Sequence, residues 1–298
     1  MNILLTGASG LLGSSLVQFL STAGHRVVKL TRSISATADA AVVWNPVAGQ
    51  IDLHRAGRLD AVVHLAGETI AQRWTPAARA RIRDSRVRGT TLLCEALARL
   101  SVPPRVLITA SATGYYGNRG GEWLDEQSVV GGGFLAEVSR DWEAATVPAA
   151  ECGIRVVRLR LGLVLSARGG ALGRLLPAFR LGIGGRLGDG RHYWSWITLD
   201  DALRTIEHAL GHETLNGPVN AVSPNPVTNR EFTKILGEVL RRPTVFTVPA
   251  VAVQMLFGQM GKEALLASAR VRPVQLEKTG FVFQFGELEP ALRHLLHR

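Results

Sequence analysis

MNILLTGASGLLGSSLVQFL, residues 1–20, decides the fold. Asn2 to Thr6 read as a short buried strand. Gly7, Gly10 and Gly13 follow, and an apolar helical pattern starts at once. A strand, a glycine-rich turn and a helix in direct succession are the setting of a dinucleotide-binding fingerprint. Gly7 permits the tight turn, Gly10 lets the backbone approach a pyrophosphate, and Gly13 lets the helix pack close to the sheet. Free N–H groups and the helix dipole around Ser9, Leu11 and Leu12 favour the phosphates.

The end of the second strand sorts the cofactors. An acid there binds a ribose 2′-hydroxyl and repels a 2′-phosphate. HRVVKLT ends instead in Thr31, followed by Arg32 and Ser33, and Asp39 comes too late. A guanidinium at position 32 forks onto a 2′-phosphate, and Ser33 adds a hydrogen-bond donor. NADP(H) is the expected cofactor.

The same rhythm continues through the first half. Strands are expected at AVVW around Val42, at DAVVHLAG and at RVLITAS. Helix TPAARARIRDSRVRGTTLLCEALARL opens with Thr75 as N-cap and Pro76 at the first helical position. FLAEVSRDWEAATVPAA reads as helical up to Pro148, and IRVVRLRLGLVL as a sixth strand. Short apolar runs alternating with amphipathic helices imply an α/β fold with a Rossmann-type doubly wound parallel sheet. Residues 1–165 are assigned to the nucleotide-binding domain, with strand returns from about 190–222; residues 166–298 are assigned to a smaller mixed α/β substrate lobe. Leu65, Ala66 and Gly67 end a strand at the switch point and leave room for the cofactor. His64, between Val63 and Leu65, is expected in the core.

Composition narrows the class. With 298 residues and 46% hydrophobic content, the chain can bury a large core. Cys94 and Cys152 form neither a disulfide framework nor a metal-type spacing, which favours a reducing compartment. The chain shows no basic leader and no membrane-length apolar run, so a cytoplasmic protein without membrane contact is expected. The formal charge of +10 is almost all arginine, the only lysines being Lys29, Lys234, Lys262 and Lys278. Arg79, Arg83 and Arg86 share one helical face, read as solvated. No nucleic-acid motif accompanies them, and no nucleic-acid partner is expected. His208 and His212 lack a third ligand, so no metal is expected.

TGASGLLG, HLAG, RGTTLL, SATGYYG and GDGRHYWSWITLDDA resemble, in order, the landmarks of the extended, epimerase-like short-chain dehydrogenases/reductases. Within them the chain is most similar to an atypical group that ends in a small domain of unknown function, resembled here by LFGQMGKEALLASARVRPVQLEKTGFVFQFGELEPALRHLL. The resemblance spans essentially the whole chain. It implies a Rossmann domain, a nicotinamide cofactor, a C-terminal substrate lobe and a monomer or homodimer, but no particular substrate.

That family uses a Ser or Thr after the fifth strand and a Tyr-x-x-x-Lys pair on the next helix, the lysine lowering the tyrosine pKa for proton transfer. The chain departs from this. Its tyrosines, Tyr115, Tyr116 and Tyr193, are followed four residues on by Arg119, Gly120 and Ile197. With Glu143 aligned to the acid late in the family's helix, Leu135 and Ser139 take the tyrosine and lysine places. Arg86 stands where relatives often carry asparagine. Three readings stay open. Ser111, Tyr116 and Glu137 supply the chemistry, Ser111 anchoring the substrate oxygen; or hydride transfer proceeds with water as the proton source; or no chemistry occurs and the protein senses NADP(H). In the lobe, Arg191, His192, Trp194 and Trp196 are expected to face the cleft, with Trp74 and Arg73 opposite. They suit a small anionic or aromatic substrate.

Overall fold

Ile3, Leu4 and Leu5 are all sealed from solvent. Successive side chains of a strand point to opposite faces, so three in a row stay dry only if both faces are covered. The computed structural model, which describes residues 1–32 and 41–298, shows how. Ser33 and Asp39 lie outside the described residues.

In chain order the first half runs β1 (Asn2–Thr6), α1 (Leu11–Thr22), β2 (Arg26–Thr31), β3 (Ala41–Asn45), β4 (Gln50–Ile51), β5 (Ala61–His64) and α2 (Pro76–Ala98). Next come β6 (Val106–Ala112), a 3-10 turn (Thr113–Tyr116), β7 (Trp123–Leu124), α3 (Phe134–Ala144), α4 (Val147–Glu151) and β8 (Arg155–Leu161). The second half holds β9 (Leu163–Ser166), α5 (Gly170–Arg180), β10 (Gly185–Leu187), β11 (Tyr193–Trp194), β12 (Trp196–Thr198), α6 (Leu199–Gly211) and β13 (Gly217–Ala221). It ends with β14 (Val227–Thr228), α7 (Asn229–Leu240), β15 (Phe246–Val248), α8 (Ala250–Met260), β16 (Arg270–Val271), α9 (Val274–Lys278) and α10 (Leu288–Leu296).

The main sheet has the order β13-β8-β6-β5-β1-β2-β3-β4. All its pairings are parallel except β3 with β4. Ile3, Leu5, Val63 and Ile108 face Leu16 and Leu20 of α1 and Ala202 and Ile206 of α6. Leu4, Val62 and Leu107 face Leu93, Cys94 and Leu97 of α2 on the other side. This is the doubly wound Rossmann-type sheet expected from the alternation. Its order reverses between β1 and β5, and the crevice at their carboxyl ends is where such sheets take ligands.

Two boundaries differ from the sequence reading. IRVVRLRLGLVL is not one strand. It breaks at Gly162, and β9 leaves the main sheet to pair with β12. The break is forced by contact: a Cβ on Gly162 would stand 2.6 Å from the Ser195 carbonyl oxygen. Pro148 does not end a helix but sits in the first turn of α4, where a missing N–H costs nothing. The preceding helix has already stopped, with the Thr146 hydroxyl donating to the Glu143 carbonyl at 2.7 Å.

In the second half, Leu172, Leu176 and Phe179 of α5, Phe232 and Leu236 of α7 and Leu292 of α10 form a separate core around Trp196. A smaller cluster of Trp74, Ile82, Phe134, Val138 and Met260 ties α2 and α3 to α8. Among the described residues no helix is long and apolar enough to cross a membrane.

Candidate functional site

The turn between β1 and α1 is built by contact distances. Gly7 has φ +71°, and a Cβ there would lie 2.7 Å from the Leu65 carbonyl carbon. At Gly13 a Cβ would lie 2.1 Å from the Gly7 oxygen. Both must be glycine for the chain to close on itself. Gly10 is different. Its φ is an ordinary −76°, and a Cβ would approach nothing nearer than the Gly7 oxygen at 3.4 Å. Internal packing does not demand glycine at position 10; the open side does. Gly10 is also the N-cap of α1, without a side-chain cap and without an acid in the first turn. The first N–H groups of α1 are thus left to an anion from outside. Ser9 is exposed, and Leu11 and Leu12 are partly buried at the same helix start.

The opposite wall is pinned from below. The Thr6 hydroxyl oxygen accepts the N–H groups of Leu65 and Ala66, each at 3.1 Å. With both lone pairs engaged, its O–H donates to Nδ1 of His64 at 2.7 Å, and Nε2–H of His64 donates to Thr90 at 3.0 Å. Thr90 also accepts from the Trp142 indole at 2.9 Å. His64 is therefore a neutral core histidine, as expected, and it fixes the Leu65–Gly67 segment. Burial lowers its pKa from 6.5 to about 4. The unfolded chain binds a proton near pH 6.5 and the folded chain does not until about pH 4, so stability is lost as pH falls between those values. Denaturant melts from pH 7.5 to 5 are expected to show a loss approaching about 2 kcal/mol. His64→Asn should flatten that slope; an unchanged slope in the variant would assign the loss elsewhere.

Arg32 is exposed just past β2. In the β1–β2 register Thr6 faces Leu30, so Arg32 stands level with the glycine turn. From the far side comes a residue the sequence reading missed. Arg168 precedes α5, and its Nη2 donates to the Ser15 hydroxyl in α1 at 3.3 Å. Leu11 meanwhile packs against Gly170, where a Cβ would lie 3.1 Å from it. The α5 loop therefore lies over the start of α1. RGG in a loop carries no signal that separates it from an ordinary turn.

The proposed chemistry residues fare differently. Ser111 is buried, and its hydroxyl donates to Oε1 of Glu143 at 2.7 Å. Arg160 completes a bidentate pair with Glu143, at 2.8 Å through Nε and 2.9 Å through Nη2. Its Nη1 donates to the Tyr116 hydroxyl at 3.0 Å, and that hydroxyl donates to Oδ1 of Asn220 at 2.6 Å. Burial is the largest single influence and would lower the Arg160 pKa, but the hydrogen bonds and charge interactions with Glu143 and Tyr116 together outweigh it and hold the group cationic. This is a saturated structural network, not a proton relay open to a ligand. Tyr116 is wholly buried, and burial pushes its pKa up to about 12, so its hydroxyl is sealed from a ligand rather than offered to one. Glu137 is exposed on α3, so the burial its role required is missing. Leu135 and Ser139 occupy α3 beside Gly114, where a Cβ would lie 3.3 Å from Leu135 and 4.0 Å from the Ser139 hydroxyl.

In the lobe, Trp196 is fully buried and donates to the Asn225 carbonyl at 3.0 Å, so it is core rather than cleft. Trp74 is buried against Phe134 at a centroid distance of 5.1 Å, so it ties the segment entering α2 to α3. Trp194 is partly buried, stacked edge-on to Phe232. His192 is buried, its Nε2 without a partner among the described residues, and burial lowers its pKa. Arg191 is exposed, its N–H bonded to Asp189. These four aromatic and imidazole groups do not form one wall.

Residues 3–221 match the NAD dependent epimerase/dehydratase family, and residues 248–295 match a domain of unknown function, DUF1731. The chain is 44% identical over 297 residues to the epimerase family protein Mb2239 of Mycobacterium bovis, covering 99% of this chain and 98% of that one. It is 35% identical to a chloroplastic epimerase family protein SDR39U1 homolog of Arabidopsis thaliana, covering 99% and 87%. The crystal structure of human epimerase family protein SDR39U1 with NADPH superimposes with a TM-score of 0.91 at 31% identity, covering 100% of this chain and 99% of that one.

Proposed function

Taking as premise that this chain belongs to the NAD dependent epimerase/dehydratase family, we propose that it is an NADP(H)-dependent oxidoreductase acting on a small, activated molecule. The observation that carries this is Gly10, a glycine required by nothing inside the chain, at an uncapped helix start. The N–H groups of Leu11, Leu12 and Gly13 would hold the diphosphate, Arg32 the 2′-phosphate, and the Leu65–Gly67 segment the far wall. The structure of the human relative with NADPH supports the same choice.

When bound, the dihydronicotinamide supplies a hydride. The chain's own part is positioning. Ser111 spends its proton on Glu143, Tyr116 is sealed, and α3 offers Leu135 where the wider family has tyrosine. None of these delivers a proton to a substrate oxygen, so water does. A protein of this kind suits acceptors that take hydride without a strong acid, such as quinones and conjugated carbonyl compounds.

NADPH consumption against such a panel tests the reading. Turnover is expected, and it should survive Glu137→Gln. Tight NADPH binding with no turnover across the panel would favour a non-catalytic NADP(H)-sensing protein instead. Arg32→Ala should weaken NADPH binding about 10- to 100-fold, the scale of a charge-assisted pair of roughly 1.4–3 kcal/mol, and leave NADH unchanged. Equal weakening of both would remove Arg32 from the 2′-phosphate.

A further inference from the structure

Three arginines on one face of α2 meet different fates. Arg83 pairs with Asp141, and Arg79 lies over the Phe134 ring at 4.5 Å. Arg86 turns inward instead of joining a solvated face. Its guanidinium lies over the Trp142 ring at 5.1 Å. Nη1 donates to the carbonyls of Glu68 at 2.9 Å and Ile82 at 3.1 Å. It presses on the crevice wall: a Cβ added to Gly67 would stand 3.2 Å from Cζ and 3.3 Å from Nη2.

This cation is poorly compensated. Among the described residues no carboxylate forms a salt bridge with it; the Glu68 carboxylate lies 4.0 Å from Arg81 and supports the Arg86 charge only from a distance. Burial lowers the Arg86 pKa to about 10, so it stays charged at neutral pH. A half-buried charge with no carboxylate in direct contact is costly, and two carbonyl dipoles through one nitrogen, the Trp142 face and the more distant Glu68 repay only part of it. Such a group is stable where an electron-rich ligand joins it.

Its place says which part of the ligand. Gly67 follows β5, which pairs with β1 on the side away from β2. Arg32 marks the β2 side as the adenosine end, and the α1 turn between them takes the diphosphate. The β5 side is left for the nicotinamide riboside. Ser139, where relatives carry the helix lysine, offers no charge. Trp142, one turn further on α3, is the ring that Arg86 covers.

We propose that Arg86 supplies, from α2, a cation that hydrogen-bonds the nicotinamide-ribose hydroxyls of NADP(H). The proposal rests on the NADP(H) reading above.

Calorimetric titration of Arg86→Met and Arg86→Lys with NADPH and with 2′-phospho-ADP tests it, because the second probe carries both phosphate groups but no nicotinamide riboside. Arg86→Met is expected to weaken NADPH at least about 10-fold and to leave 2′-phospho-ADP within about 2-fold. Lysine should restore part of the NADPH affinity. Equal weakening of both probes, or no change in either, would overturn the proposal. If the methionine variant fails to fold, the lysine variant decides: a loss confined to NADPH supports the proposal, and any other pattern overturns it. Wild-type protein that binds neither probe would instead sink the NADP(H) reading itself.

Discussion

Arg160→Met is expected to destabilise the chain by about 3–5 kcal/mol, the usual cost of leaving one member of a buried ion pair alone. Arg160 and Glu143 are 3% and 9% exposed at their side chains, so neither can recover solvation by a small movement. The substitution strands the Glu143 carboxylate with the Ser111 hydroxyl alone and removes a donor from the Tyr116 hydroxyl. Damage should spread. Asn220, which accepts from Tyr116, belongs to β13, and its own N–H is held at 3.0 Å by Glu126. Glu126 also accepts the Gln275 N–H of α9 at 3.1 Å, linking the C-terminal segment to the main sheet. Adding Glu143→Leu to the variant should recover part of the loss, since no charge is then left unpaired. Urea melts of the wild type and the two variants check this; a cost under about 1 kcal/mol for Arg160→Met would show that the pair is not the fastening of α3.

The second large effect separates the glycines. Gly13→Ala places a Cβ 2.1 Å from one backbone oxygen and 2.8 Å from its carbon, neither of which can swing aside. The helix must move off the sheet, at a cost of about 1–3 kcal/mol. A shift of that size also misaims the N–H groups at the start of α1, so NADPH affinity should fall at least about 100-fold, or roughly 2.7 kcal/mol. Gly10→Ser makes the opposite case. Serine is a good N-cap and meets nothing closer than 3.4 Å, so melting should stay within about 0.5 kcal/mol of wild type. NADPH binding should nevertheless be lost, because the side chain fills the ligand's side of the turn. A Gly10→Ser protein that binds NADPH normally would show that the open face at position 10 serves no ligand.

The parts of the molecule written in local pattern were legible in the sequence. The glycine turn declares itself within thirteen residues, and Thr75 caps α2 by accepting the Ala78 N–H at 3.2 Å, as its position before Pro76 implied. The core identity of His64 followed from its apolar neighbours. What escaped is long-range. Glu143 and Glu137 both lie on α3, six positions apart, and only packing shows that Glu143 shares the buried face with Ser139 and Trp142 while Glu137 looks outward. The pattern RVVRLRL did hold a clue: a cation in a central strand needs a partner, but the sequence does not say that the partner comes from α3. Gly162 looked like a residue inside a strand because its clash partner, Ser195, is far along the chain. Arg86 looked like the third member of a solvated stripe because Gly67 and Trp142 reach it only through the fold.

Calorimetric titration of the wild-type chain with NADPH and, in parallel, with NADH bears most directly on the nucleotide site. NADPH is expected to bind at one site per chain, at least about 10-fold more tightly than NADH. Absence of binding to both, or a preference for NADH, would contradict an NADP(H) site formed by the Gly7–Gly13 turn and Arg32.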